Sequence, residues 1–266
     1  MHAAAWETHR ICLRSAPTNA PAAAGDVYDR TCRTNFNEPG FCVLNLGSDI
    51  DSHTFRRFMV DLKLAMANLH ALATGNTLAF VWASRFDQQN STKPHVDGGP
   101  SENFLMLGYE PSSVRSELEI SDYSKCAFDL GITPDEFLLK HNPMFQAGYD
   151  LLRPYTVAIP CFAEADYQIV CINNSTTAYC ERNPAWQGNL HTATVPIPNE
   201  SQLRVINSMM IASVPAGTGD SISAADVDQF ISTTEVRRRG YDKLHLDDKN
   251  ESRDESPPRS SVRRDD

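Results

Sequence analysis

Residues 77–109 read TLAFVWASRFDQQNSTKPHVDGGPSENFLMLGY, and they decide the fold that this sequence predicts. Residues 77–84 are apolar and rich in β-branched and aromatic side chains, which is typical of a short buried strand. Gly98-Gly99-Pro100 indicates a turn. Residues 103–109 have the composition of a second buried strand. The stretch therefore predicts a mainly β core.

Between the two predicted strands lies a triplet of possible metal ligands, His95-Val96-Asp97. Side chains alternate along an extended chain, so the first and third residues share a face and can reach one ion. His191 lies in a later extended stretch, LHTATVPIP. Two imidazoles and one carboxylate on one face of an iron(II) ion leave the other face open. We predict that His95, Asp97 and His191 bind a metal.

A second His-x-Asp triplet, His245-Leu246-Asp247, is a competing candidate. It borders residues 247–266, which have almost no apolar content and are predicted to be disordered. Because no predicted strand holds this triplet, we interpret it as a chance match.

Arg204 lies in the predicted strand LRVINSMMIAS, residues 203–213. Alternation places Arg204, Ile206, Ser208 and Met210 on one face. An arginine on an apolar strand is costly to bury unless an anion meets it. The sequence therefore predicts a carboxylate partner for Arg204.

Taken together, these residues resemble the iron(II)- and 2-oxoglutarate-dependent dioxygenases over about residues 75–215. The resemblance implies a double-stranded β-helix core, a jelly-roll and cupin-like barrel with flanking helices. It implies iron(II) on His95, Asp97 and His191, and the distal carboxylate of 2-oxoglutarate on Arg204. The common Arg-x-Ser pattern of the family is absent, since Ile206 occupies the serine position. We consider Ser208, Tyr109 and Asn173 as the assisting side chains.

The activity that the resemblance implies is hydroxylation of a small-molecule or amino-acid-like substrate by O2, with release of succinate and CO2. Arg85, just after the first strand, is a candidate substrate contact. Two alternatives use the same barrel: a cupin-like metal-dependent isomerase or hydrolase, and a binding protein without catalysis. Arg204 favours the oxygenase, because a hydrolase does not need a buried guanidinium there.

Composition limits the other classes of function. The chain has 266 residues, 41% of them hydrophobic, which is enough for one sizeable core. A net charge of −10 disfavours a nucleic-acid partner. We find neither an apolar run that could cross a bilayer nor a signal peptide, and we expect a soluble, cytoplasmic protein. The seven scattered cysteines form no CxxC pair, and we expect them to be reduced.

We predict a loose N-terminal arm over residues 1–35, a single oxygenase domain over 36–246, and the disordered tail. Residues 51–73 carry apolar side chains at helical spacing after a capping Asp51 or Ser52. Two further helices are predicted to begin near Thr133 and Ser223. The segment around the first of these, residues 115–144, is either a lid over the substrate or a structural crossover.

Overall fold

The computed structural model describes residues 6–160 and 164–238. The tail predicted at 247–266 and the His245 triplet lie outside these ranges. The described chain contains the helices α1 Thr8–Ile11, α2 Ala20–Thr31, α3 Ser52–Thr74, α4 Tyr123–Asp129, α5 Pro134–Lys140, α6 Gln146–Leu152 and α7 Ala224–Ser232. Its strands are β1 Cys12–Arg14, β2 Phe41–Asn45, β3 Thr77–Asp87, β4 Asn103–Tyr109, β5 Glu117–Ser121, β6 Thr156–Ala158, β7 Gln168–Asn173, β8 Leu190–Thr194, β9 Val205–Val214 and β10 Arg237–Arg238.

The larger sheet has seven strands in the order β1-β2-β7-β4-β9-β3-β10. Its centre is antiparallel, while β1 and β10 add to the two edges in parallel. Every residue of β4 and β7 is buried. A strand covered on both faces must be apolar on both, and this explains the continuous apolar runs in these two segments.

The smaller sheet has three antiparallel strands in the order β6-β5-β8. A further extended segment, residues 91–95, runs along the free edge of β8. The amide of Thr92 donates to the carbonyl of Ala193 at 2.8 Å, and His95 forms an antiparallel bridge with His191. The segment that follows β3 therefore extends the smaller sheet beyond β8.

The elements are arranged in four layers. Helices α2 and α3 cover one face of the larger sheet with an apolar cluster that includes Phe55 and Ile211. The other face packs on the smaller sheet, because Leu105 and Ile206 share a buried cluster with Ile120 of the smaller sheet. Helices α4 to α6 cover the outer face of the smaller sheet. Within the described residues the two sheets stay separate and do not close into one barrel.

The prediction of a long amphipathic helix at residues 51–73 is confirmed by α3. The side chain of Asp51 accepts the amide of Thr54 at 2.7 Å and caps the helix. The helix ends at Gly75, whose φ of 75° lies in the left-handed region that glycine tolerates. The predicted starts near Thr133 and Ser223 are also confirmed, since each has a complete capping box.

The N-terminal segment differs from the predicted loose arm. Residues 20–31 form α2, and Ala20, Ala23, Ala24 and Val27 are buried on the helical side of the fold. Their spacing is helical, and alanine is the best helix former. The Ala-Pro composition suggested a linker, but Pro21 lies in the first turn of the helix, where proline is tolerated.

The prediction of reduced cysteines is wrong for Cys12, which is disulfide-bonded. Free thiols are found at Cys32, Cys42, Cys126, Cys171 and Cys180. Most of these free thiols are buried, in agreement with the usual role of cysteine as a small core residue. Among the helices of the described chain, none combines the length and the apolarity needed to span a bilayer.

Candidate metal centre

The two histidines of the predicted site lie side by side. The amide of His95 donates to the carbonyl of His191 at 3.3 Å, and the amide of His191 donates back at 3.1 Å. Directly paired residues place their side chains on the same face of a sheet. That face is the inner one, because Ala193, two residues beyond His191, lies in the cluster between the sheets. Strand β3 ends at Asp87, and His95 lies eight residues later at the edge of the smaller sheet.

The three predicted ligands converge. One ligand atom from each of His95, Asp97 and His191 lies within 4.8 Å of the other two. His95 Nε2 is 3.7 Å from Asp97 Oδ1, and the two imidazole centroids are 4.2 Å apart. His95 Nδ1 lies 2.7 Å from the carbonyl of Lys93. A carbonyl only accepts, so Nδ1 carries the proton and Nε2 presents its lone pair towards Asp97.

His191 is held in the neutral form. Burial, assisted by the neighbouring His95, lowers the pKa of His191 to about 3. Its Nδ1 is buried and makes no hydrogen bond to any residue in 6–160 or 164–238. Metals bind neutral imidazole, so His191 has no proton to lose at neutral pH.

Arg204 is buried beside the end of β3, with 2% of its surface exposed. Its amide donates to Asp87 Oδ1 at 2.9 Å, and its Nη1 donates to the carbonyl of Gln88 at 2.7 Å. Its Nε and Nη2 are buried, and no carboxylate or carbonyl oxygen of the described chain accepts from them. These two nitrogens form one edge of the planar guanidinium, the edge that fits a carboxylate in a bidentate way.

Tyr109 packs against Arg204 and lies within electrostatic range of Asp97. The Arg204 guanidinium carbon is 5.1 Å from the centroid of the Tyr109 ring. Burial raises the pKa of Tyr109; the charge of the nearby Arg204 guanidinium and a hydrogen bond with it oppose this shift, and the charge of Asp97 adds to it. The charges of Arg204 and Asp97 therefore both act on the Tyr109 hydroxyl. Ser208 is buried on the same face of β9 as Ile206, which lies in the cluster between the sheets.

Asn173 and Arg85 lie on the other face of the larger sheet. Asn173 follows the alternation of Cys171, which packs under the helices, and its Nδ2 donates to the carbonyl of Thr31 at 2.9 Å. Arg85 forms an ion pair with Glu110 at 3.2 Å. The structure does not bring either side chain to the metal ligands.

Sequence reasoning missed Asn174 and the pair Asp87 and Gln88. Asn174 hydrogen-bonds to the backbone of Asp97, while Asp87 and Gln88 hold Arg204. Alternation along β7 predicts which face Asn174 lies on. Val170 and Ile172 face the smaller sheet, and Asn174 follows them at the same spacing of two residues. Nothing in the sequence links Asp87 to Arg204, since the two are distant in the chain.

The helical segment α4 to α6 lies behind the triplet. Its buried side chains, including Tyr123 and Phe137, cluster with Leu190, and Val96 packs against them. Leu190 is on the opposite face of β8 from His191. The described part of this segment thus supports the triplet from outside, as a structural crossover does, and does not lie over the inner face.

Comparisons with known proteins give little guidance. No protein-family model matches the chain, and no curated protein matches it. Among solved structures, a variant of the iron and alpha-ketoglutarate-dependent endoperoxidase NvfI is similar over 70% of this chain and 82% of its own. The identity is 12% and the TM-score 0.32, so the likeness is loose.

Proposed function

We propose that this protein is a non-haem iron(II)- and 2-oxoglutarate-dependent dioxygenase that hydroxylates a small-molecule or amino-acid-like substrate. The observation that carries the proposal is the buried Nε and Nη2 edge of Arg204, which meets no carboxylate of the described chain, combined with three convergent metal ligands. A buried donor without a partner costs about 1–3 kcal/mol. Two such donors on one guanidinium edge favour a carboxylate ligand at this position.

The donor set fits iron(II). His95 and His191 offer imidazole nitrogens and Asp97 offers a carboxylate oxygen, the combination typical of non-haem iron oxygenases. Bound iron(II) would supply open coordination positions and the redox chemistry by which O2 and 2-oxoglutarate yield a hydroxylated substrate, succinate and CO2. We expect these three side chains to hold the ion and Arg204 to hold the distal carboxylate of 2-oxoglutarate.

Tyr109 and Ser208 complete our proposal for the co-substrate site. Tyr109 contacts the guanidinium, and Ser208 lies further along the same face of β9. Each is buried and offers a hydroxyl group towards the space between the sheets. The proposal leaves out Asn173 and Arg85, because both are hydrogen-bonded on the helix-facing side.

We further propose a single oxygenase domain with a double-stranded β-helix core at about 75–215; this domain includes β1 and α2 and therefore begins before the expected residue 36. Two sheets that pack face to face, with the metal ligands on the inner face of one, support this architecture. Arg204 distinguishes the proposal from a metal-dependent isomerase or hydrolase, which has no use for a free carboxylate-binding edge.

Anaerobic titration of the metal-free protein with iron(II) and 2-oxoglutarate tests the proposal. We expect a visible charge-transfer band that appears only when both components are present. When air is admitted, the band should disappear as 2-oxoglutarate is converted to succinate. Binding of metal without any effect of 2-oxoglutarate on the spectrum would favour the isomerase or hydrolase class. No metal binding would leave only the binding protein.

A further inference from the structure

We infer that Asn174 is a positioning residue that holds the metal ligand Asp97 through its backbone. This inference rests on the proposed metal site. The Asn174 side chain hydrogen-bonds to the backbone of Asp97 and not to its carboxylate. Its role follows from a hydrogen-bond arrangement that joins the two sheets at the triplet.

The Asn174 side chain makes a reciprocal pair of hydrogen bonds with Asp97. Its Oδ1 accepts the amide of Asp97 at 2.9 Å, and its Nδ2 donates to the carbonyl of Asp97 at 2.8 Å. A neighbouring strand would bond to the backbone of a residue in the same way, with one donor and one acceptor. The amide side chain therefore replaces a strand partner at a place where the chain has left the sheet.

The pair holds Asp97 at the point where the chain leaves the packed segment of His95 and Val96. Gly98 and Gly99 follow it directly, and glycine gives the backbone its greatest freedom. Among the described residues, the backbone of Asp97 bonds only to Asn174. Its side chain is 32% exposed and lies at the edge of the packed core. Without Asn174, the carboxylate would sample positions away from the imidazoles.

Asn174 is itself rigidly placed. It has no exposed surface, and its Nδ2 also donates to Asn103 Oδ1 at 2.8 Å. Its own amide donates to the carbonyl of Asn103 at 2.9 Å. The side-chain NH2 of Asn174 thus donates two hydrogen bonds, and its side-chain oxygen accepts one. The ends of β4 and β7 in the larger sheet therefore position Asp97, two residues beyond the bridge between His95 and the smaller sheet.

Loss of a group that orients a metal ligand usually weakens metal binding by about 10- to 100-fold. We expect this effect for Asn174→Ala. The matched control is Asn173→Ala, because Asn173 is the adjacent buried asparagine and also donates to a backbone carbonyl, that of Thr31. It lies on the opposite face of the sheet, so its loss affects the fold without affecting Asp97.

The experiment measures cobalt(II) binding to metal-free protein by calorimetry and by the visible absorption of the bound ion. We expect the Kd of Asn174→Ala to rise about 10- to 100-fold, with an altered spectrum, and that of Asn173→Ala to stay within about 3-fold of the parent. His191→Ala establishes that the parent binds cobalt at this site. If His191→Ala abolishes cobalt binding but Asn174→Ala leaves it unchanged, the role of Asn174 is overturned while the proposed metal site stands. Parent protein that binds no cobalt overturns the proposed metal site as well.

A second measurement needs no variant and covers the case in which Asn174→Ala does not fold. In metal-free parent protein, the Asp97 amide should exchange with solvent much more slowly than the neighbouring Gly98 amide, because only the former donates to a buried acceptor. Equal and fast exchange at both amides contradicts the clamp on Asp97.

Discussion

His95 and His191 are directly opposed across the edge of the smaller sheet, with two backbone hydrogen bonds between them and ring centroids 4.2 Å apart. The segment after β3 therefore crosses from the larger sheet to the smaller one before it reaches the triplet. This crossing places the two imidazoles on one inner face.

Replacing His191 with alanine should abolish tight metal binding. The substitution removes one of three ligands, so we expect a loss above the roughly 100-fold that marks the upper range for outer groups. Iron(II) or cobalt(II) titration measures it. His245→Ala is the control from the other triplet and should leave the bound metal unchanged. A loss of metal in the control, with none in His191→Ala, would reverse the assignment.

Replacing Arg204 with lysine should weaken 2-oxoglutarate binding almost as much as alanine does. A single ammonium cannot reproduce the Nε and Nη2 edge. Removing one partner of a buried charge pair costs about 2–5 kcal/mol, so the Kd should rise roughly 30-fold or more. Calorimetry on the metal-loaded protein tests this, and metal affinity should hardly change. Arg85→Ala, on the other face of the sheet, should leave the 2-oxoglutarate Kd as it is, and a similar rise there would contradict the assignment.

Asp87 should act on the co-substrate through Arg204. Asp87→Ala leaves the buried amide of Arg204 without its acceptor, a loss that we expect to raise the Kd for 2-oxoglutarate by about 3- to 10-fold. Asp87→Asn retains an oxygen that accepts this amide and should restore most of the affinity. If both variants bind 2-oxoglutarate as the parent does, Asp87 has no positioning role.

The metal-free protein should lose stability as the pH falls below about 6.5. An unfolded histidine takes up a proton near that pH, whereas His191 in the fold does so only near 3. The unfolded state then binds the extra proton, and stability falls by up to about 1.4 kcal/mol per pH unit from this group. Denaturant unfolding of parent and His191→Gln between pH 4 and 7, with chelator present, isolates the effect. Parallel curves for the two proteins would contradict it.

Removing the Glu110 carboxylate should destabilise the fold. Glu110 pairs with Arg85 at 3.2 Å and Arg56 at 3.4 Å, and all three side chains are largely buried. Breaking such a network by removing one partner costs about 3–5 kcal/mol, which we expect for Glu110→Ala in denaturant unfolding. Glu117→Ala removes an exposed carboxylate and should change the free energy of unfolding by less than about 0.5 kcal/mol. Equal effects would show that burial of the network contributes nothing.

Several features of the site follow from local patterns. Alternation predicts that Ile206 and Met210 share one face, and both lie in the cluster between the sheets. The cap and spacing of α3 are local in the same sense. Alternation along β7 also places Asn173 on the face of Cys171, which packs under the helices and away from the metal ligands.

The sequence by itself determined which residue types were available, the faces of the strands and the caps of the helices, because these depend on neighbours a few positions away. Only the tertiary structure decided that His191 pairs with His95, that Asn174 holds Asp97, and that Asp87 and Gln88 leave one edge of Arg204 free. These contacts join segments distant in the chain. Their register is set by how two sheets and their covering helices bury apolar surface together, and that packing cannot be computed one segment at a time.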